Sequence, residues 1–185
     1  MLQECCAFNL DEGYNSVMTR FITIGILALV SITACSQQGE AQKSGAPAWQ
    51  ATPSKGFTAA DVAKLKWIEG TWRGMDGDKP FYERYKIDGT TMIVEGLKED
   101  GTSDGEPGRF ELKNGEFGKG EGDKRSAASE ITADSVQFVP AVPGKSNSFR
   151  FHRQPDGTWH ALLEWTDKDK KPQQKIYKME RWQPK

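Results

Sequence analysis

Glu83 is the residue in this chain whose surroundings most constrain its chemistry. It lies in Phe81-Tyr82-Glu83-Arg84-Tyr85-Lys86-Ile87, where the other odd-numbered positions are bulky and largely apolar. A strand here turns a carboxylate to the same side as Phe81, Tyr85 and Ile87. A carboxylate on an apolar face must be paired, hydrogen-bonded or protonated. One role that fits is the polar anchor of a ligand pocket, or an acid of raised pKa. The other is structural, as an ion pair with Arg153 or Arg181 or a hydrogen bond to Tyr85 or Tyr177. The two histidines, His152 and His160, flank Pro155-Asp156-Gly157, and a three-residue hairpin loop there sets them directly opposite each other. Two imidazoles across a strand pair could hold Zn²⁺ or Cu²⁺. They fall, however, on the face opposite Phe149, Phe151 and Leu163, and Glu164 is the nearest further ligand, so a solvated pair and no metal are expected. Glu83, Glu95 and Glu164 could be imagined as a glycosidase pair, but Glu95 and Glu164 come out on the exterior, and two carboxylates must flank one substrate. With no phosphate-binding loop in the sequence, catalysis is not expected and no cofactor is called for.

The elements that position these residues are read from periodicity and turns. The chain has 185 residues with 25 basic and 26 acidic side chains, and 6 Trp, 9 Phe and 4 Tyr supply bulk for a core. That balance leaves no positive excess to neutralise a phosphate backbone, which argues against nucleic acid as a partner. The aromatic content argues against disorder. Thr58-Ala-Ala-Asp61 has the form of a capping box. It opens a short helix with Val62, Leu65 and Trp67/Ile68 on one face, ended at Gly70.

From Gly70 onward the pattern changes to short alternating segments separated by turn dipeptides. Strands are expected near 70–76, 81–87, 90–98, 108–113, 116–121, 126–132, 135–140, 147–154, 158–166 and 173–182. Asp88-Gly89 suits a type I′ loop, which would pair Ile87 with Thr90, Tyr85 with Met92, Glu83 with Val94 and Phe81 with Gly96. Pro155-Asp156-Gly157 pairs Arg153 with Trp159, Phe151 with Ala161 and Phe149 with Leu163. Asn114-Gly115 sets Leu112 against Phe117. In each hairpin the apolar residues share one face. Sequential hairpins with a common apolar face make an all-β, antiparallel up-and-down meander of 8 to 10 strands, which loses its exposed edges by closing into a barrel.

The N-terminal region carries an address. Phe21 to Ala34 is an uncharged apolar run, shorter than the about 20 residues that cross a bilayer and suited to the core of a signal peptide. It ends in Ile32-Thr33-Ala34-Cys35, which resembles the lipobox of bacterial lipoproteins, where the cysteine is acylated and becomes the first residue. Residues 1–20 carry Glu4, Asp11 and Glu12 against Arg20 alone, the wrong sign for the start of a signal peptide, whereas Met18-Thr19-Arg20 has the right one. Residues 1–17 are therefore expected to be a start-site artefact and 18–34 the signal peptide. Residues 35–57, rich in Ser, Gln, Gly, Ala, Pro and Lys, would be the lipidated cysteine and a flexible tether, and 58–185 the barrel domain. Removing residues 1–34 leaves 24 basic and 23 acidic residues, and Cys35 as the remaining cysteine, so no intrachain disulfide is available. By the resemblance, Ser36 after the cysteine implies an outer-membrane lipoprotein, facing the periplasm or the cell surface, held to the membrane by its acyl chains without spanning it.

Gly70-Thr71-Trp72, at the head of the first strand after a short helix, resembles the G-x-W motif of the lipocalin and calycin barrels. The wider stretch Leu65-Lys-Trp-Ile-Glu-Gly-Thr-Trp-Arg-Gly, with Phe81-Tyr-Glu-Arg-Tyr and Gly89-Thr-Thr-Met, is similar to an uncharacterised family of lipocalin-like bacterial domains, most clearly over residues 65–97. The resemblance implies that Trp72 closes the barrel floor and that a basic residue of the last strand covers its ring, Arg181 first and Lys178 second. A guanidinium on a partly desolvated indole is worth roughly 1 to 2 kcal/mol. It further implies a binding module that holds a small apolar or amphipathic molecule, lined by Glu83, Tyr85, Met92, Phe149, Phe151 and Trp159, with Glu83 and a facing arginine orienting it. The alternative is a barrel filled by its own aromatics, serving as a structural or interaction protein of the envelope.

Overall fold

The computed structural model describes residues 51–184. The expected start-site segment, signal peptide, Cys35 and the tether up to residue 50 lie outside the described residues. A helix α1 (Ala59–Ala63) continues into a 3₁₀ turn (Lys64–Ile68), and ten strands follow: β1 (Gly70–Asp76), β2 (Lys79–Asp88), β3 (Thr91–Leu97), β4 (Gly108–Lys113), β5 (Glu116–Lys119), β6 (Ser126–Ile131), β7 (Ser135–Pro140), β8 (Ser148–Arg153), β9 (Trp159–Thr166) and β10 (Pro172–Arg181). Each strand pairs antiparallel with the next, and β10 returns to β1, so the sheet is a closed up-and-down barrel. The closing seam pairs Trp72 with Arg181 and Arg73 with Glu180.

The capping box forms as the sequence implies: the Thr58 amide and hydroxyl both donate to the Asp61 carboxylate, at 2.9 and 2.8 Å. Val62, Leu65 and Ile68 are buried in the core cluster. The helical segment thus closes the end of the barrel where β1 begins and where the β2–β3, β4–β5, β6–β7 and β8–β9 hairpins turn. The β8–β9 register is the one the three-residue loop dictates, with Arg153 opposite Trp159, Phe151 opposite Ala161 and Phe149 opposite Leu163. Leu112 likewise faces Phe117.

The β2–β3 hairpin departs from expectation. Ile87 pairs with Met92, Tyr85 with Val94 and Glu83 with Gly96, and the loop is Gly89-Thr90. A type I′ loop at Asp88-Gly89 needs positive φ at both residues, but only Gly89 adopts it, at 60°. Asp88 instead joins the strand, and the Thr90 carbonyl is engaged by the Leu112 amide of β4 at 3.1 Å. The slip is by two positions, so every side chain keeps its face.

Residues 51–57, the end of the stretch read as tether, lie along the barrel. The Ser54 amide donates to the Ala128 carbonyl and the Phe57 amide to the Gly115 carbonyl, both at 2.9 Å, and the Ser54 hydroxyl donates to the Ser129 carbonyl at 2.7 Å. They bridge β6 and the β4–β5 turn beside a short stretch of sheet, where β5 and β6 pair only through Gly118–Ala127 and Lys119–Ser126 and β6 carries an irregularity between Ala128 and Glu130.

Candidate functional site: a carboxylate in an aromatic barrel

The inward alternation of the strands brings the expected lining together. Tyr85, Met92, Phe149, Phe151 and Trp159 all belong to one buried cluster with Trp72, Phe110, Phe117 and Phe138. The rings form a continuous network. Near the closed end Trp159 meets Trp72 edge-on at 5.9 Å and Tyr85 at 5.4 Å between centroids. Farther along, Phe138 stacks on Phe149 at 4.9 Å and lies 4.7 Å from Phe110. Such edge-to-face and offset contacts add to the stabilisation from burial alone.

Trp72 and Arg181 meet at the β1–β10 seam, at the end that the helical segment covers. Trp72 is 1 % exposed, and its indole N–H donates to the Ile68 carbonyl at 2.6 Å, tying β1 to the 3₁₀ turn. The Arg181 guanidinium lies 3.8 Å from the Trp72 ring centroid and donates to the Glu69 carbonyl at 2.5 Å. Gly70 makes room for it: its φ is +115°, and a Cβ there would come within 2.0 Å of Arg181 Nη1.

Glu83 is fully buried. Its Oε2 accepts a hydrogen bond from the Tyr85 hydroxyl at 2.7 Å, which selects one of the structural partners named above. Oε1 has no hydrogen-bond partner among the described residues. The alternative partner, Arg153 or Arg181 in an ion pair, is not the one found among the described residues. Arg181 is committed to Trp72 and Glu69, and Arg153 is exposed at the end of β8. Burial pushes the Glu83 carboxyl up to about 7, against the opposing pulls of the Tyr85 hydrogen bond and the Lys119 charge.

Lys119 went unanticipated. It is on the same side of β5 as Phe117, and its ammonium lies 5.3 Å from the Phe110 ring centroid and 5.9 Å from that of Phe149. The strand Glu116-Phe-Gly-Lys119 has one large apolar residue, too few to fix a period. The signal available was the spacing of two from Phe117, which puts Lys119 on the inner face. A second cation, Lys175, lies near the start of β10, ion-paired with Asp76 and 4.9 Å from the Tyr177 ring centroid.

The other sequence candidates lie outside the barrel. His152 and His160 face each other across β8 and β9 on the outer surface, His152 exposed and bonded to Gln154. Glu95 pairs with Arg84 at 2.9 Å, and Glu164 is opposite Ser148 on the outer side. Among the described residues no group of three His, Cys, Asp or Glu side chains could hold a metal ion. A cleft of about 310 Å³ opens at the rim beside Phe81, Tyr82, Leu97, Lys98 and Asp104. The chain matches no protein-family model and no curated protein.

Proposed function

We propose that the protein is a lipid-anchored, lipocalin-like binding module of the bacterial envelope, tethered to the outer membrane through Cys35, that holds a small apolar or amphipathic molecule in its barrel. The observation that carries this reading is Glu83: a fully buried carboxylate with one oxygen unpartnered, set in an aromatic interior. Leaving a buried acceptor unpaired costs about 1–3 kcal/mol, more when it is charged, and a tube that served only as a scaffold would be more stable with an apolar residue there. The closed floor suits retention of a molecule in the interior. Cys35 supplies the anchor, and the chain beyond it supplies reach.

A second reading is favoured by the density of the ring network around Phe138, each neighbour within 6.1 Å between centroids. In it the barrel is filled by its own side chains and acts through its outer surface as an envelope interaction protein. Native mass spectrometry of the lipidated full chain released from its own envelope separates the two. Binding predicts an adduct of a small molecule on the wild type that is lost in Glu83→Gln while the β-rich circular dichroism spectrum is kept. A wild-type mass equal to polypeptide plus acyl chains favours the surface role. Fractionation tests the anchor: Cys35→Ser should move the protein from membranes to the soluble envelope fraction.

A further inference from the structure

We propose that the molecule held by the barrel is a protonated amine with an apolar body, seated on the Phe110 and Phe149 rings in the place the Lys119 ammonium takes, with Glu83 as its counter-charge. This rests on the binding reading above and names its ligand class.

Three observations converge on an ammonium. The first is the acceptor: Glu83 Oε1 is buried without a partner among the described residues, so the ionised carboxylate keeps one oxygen open to a cation. The second is the wall. Phe110 and Phe149 already receive one ammonium, at 5.3 and 5.9 Å, inside the about 6 Å over which a cation is held by a ring face. The third is charge. The carboxylate buried in this interior is Glu83, and the cation on its aromatic wall is Lys119. An amine that enters as Lys119 leaves exchanges one buried cation for another. A neutral ligand that displaced Lys119 would leave the carboxylate uncompensated, and an anionic one would add a second negative charge in a low-dielectric interior.

Lys119 is suited to leave. It ends β5, and Gly120 turns the chain away beyond it with a φ of +75°. Its side chain is a flexible four-carbon stem with a strongly hydrated head, and the residue is only half-buried. Its neighbour across the seam, Ser126, is one of only two register pairs joining β5 to β6. The lysine therefore acts as an internal stand-in for the ligand: it holds the aromatic wall in the ligand-free protein and competes with the ligand for it.

The test uses the full chain and three probes of one shape and different charge: 2-phenylethylammonium, 2-phenylethanol and phenylacetate, followed by intrinsic tryptophan fluorescence and calorimetry at neutral pH. The ammonium should bind at least about tenfold tighter than the alcohol, with phenylacetate weaker still. Lys119→Met, which removes the competitor and keeps the bulk, should tighten the ammonium several-fold. Glu83→Gln should weaken it by about tenfold or more. Equal affinity for the three probes, or a preference for the alcohol or the carboxylate, overturns the amine assignment and leaves the binding reading standing. An ammonium affinity unchanged in Lys119→Met overturns it as well. No binding of any probe to the wild type or to Lys119→Met overturns the assignment together with the reading it rests on.

Discussion

At the scale of single residues, Glu83 ties the site to stability. A carboxyl raised from 4.5 to about 7 by burial binds its proton more tightly in the folded chain than in the unfolded one. Its contribution is therefore complete below about pH 4.5 and is lost as pH rises through about 7. A shift of that size corresponds to roughly 3 kcal/mol. The exposed carboxylates work in the other direction. Asp61 is lowered to about 2 by Lys64 and Thr58, and Asp100 and Asp156 are lowered by the Thr102 and Thr158 hydrogen bonds. Their contribution is present at neutral pH and lost in acid. Thermal melts should then show wild-type stability falling between pH 5 and pH 8, and Glu83→Gln should flatten that slope and exceed the wild type at pH 8. A parallel slope in both proteins would assign the titration elsewhere. Gly70 gives a second prediction. Gly70→Ala meets both the positive φ and the Arg181 guanidinium, and urea denaturation should show a loss of about 2 kcal/mol or more. Glu83 was legible in the sequence because it breaks a pattern, a charge on an apolar face, whereas Arg181 was named only through the resemblance to the G-x-W barrels. Lys119 breaks no pattern, because a lysine at the end of a four-residue strand reads the same whether it snorkels out or lies on aromatic rings.

At the scale of elements, legibility follows the strength of each local rule. Pro155-Asp156-Gly157 fixes its hairpin because proline and glycine each restrict one loop position, and the apolar faces agree with a single register. Asp88-Gly89-Thr90 offers two loops of equal length. The choice is made by β4, through the Leu112 amide on the Thr90 carbonyl, which no reading of one hairpin contains. The strap of residues 51–57 was illegible for a related reason. Its composition is that of a linker, and what fixes it is backbone hydrogen bonding to carbonyls left open beside the short β5–β6 pairing and the β6 irregularity. A chain beginning at residue 58 should accordingly remain a folded barrel but lose about 1–3 kcal/mol from those bonds and from Phe57 burial. In hydrogen–deuterium exchange, the lost protection should be confined to β5, β6 and the Gly115 turn. Uniform loss of protection across all strands would mean that the strap holds the whole sheet and not one seam.

For the whole molecule, the meander topology separates local contacts from a single distant one. Each strand pairs with its sequence neighbour through a local connection, whereas closure brings Trp72 to Arg181 across the length of the domain. Loop-closure entropy must be met before that contact rewards it, so the hairpins can form first and the β1–β10 seam last. A contact formed after the transition state affects unfolding and leaves folding alone. Arg181→Met removes the cation from the Trp72 ring and the bond to the Glu69 carbonyl while keeping an apolar stem over the indole. With a loss of about 1–2 kcal/mol, stopped-flow tryptophan fluorescence should show the unfolding rate rising by roughly 5- to 30-fold and the folding rate changing by less than about twofold. A slowed folding limb with an unchanged unfolding limb would instead place the seam in the folding nucleus. The floor formed by Trp72 and the helical turn would then be the template on which the barrel is wound, and the same substitution would delay formation of the Glu83 interior along with it.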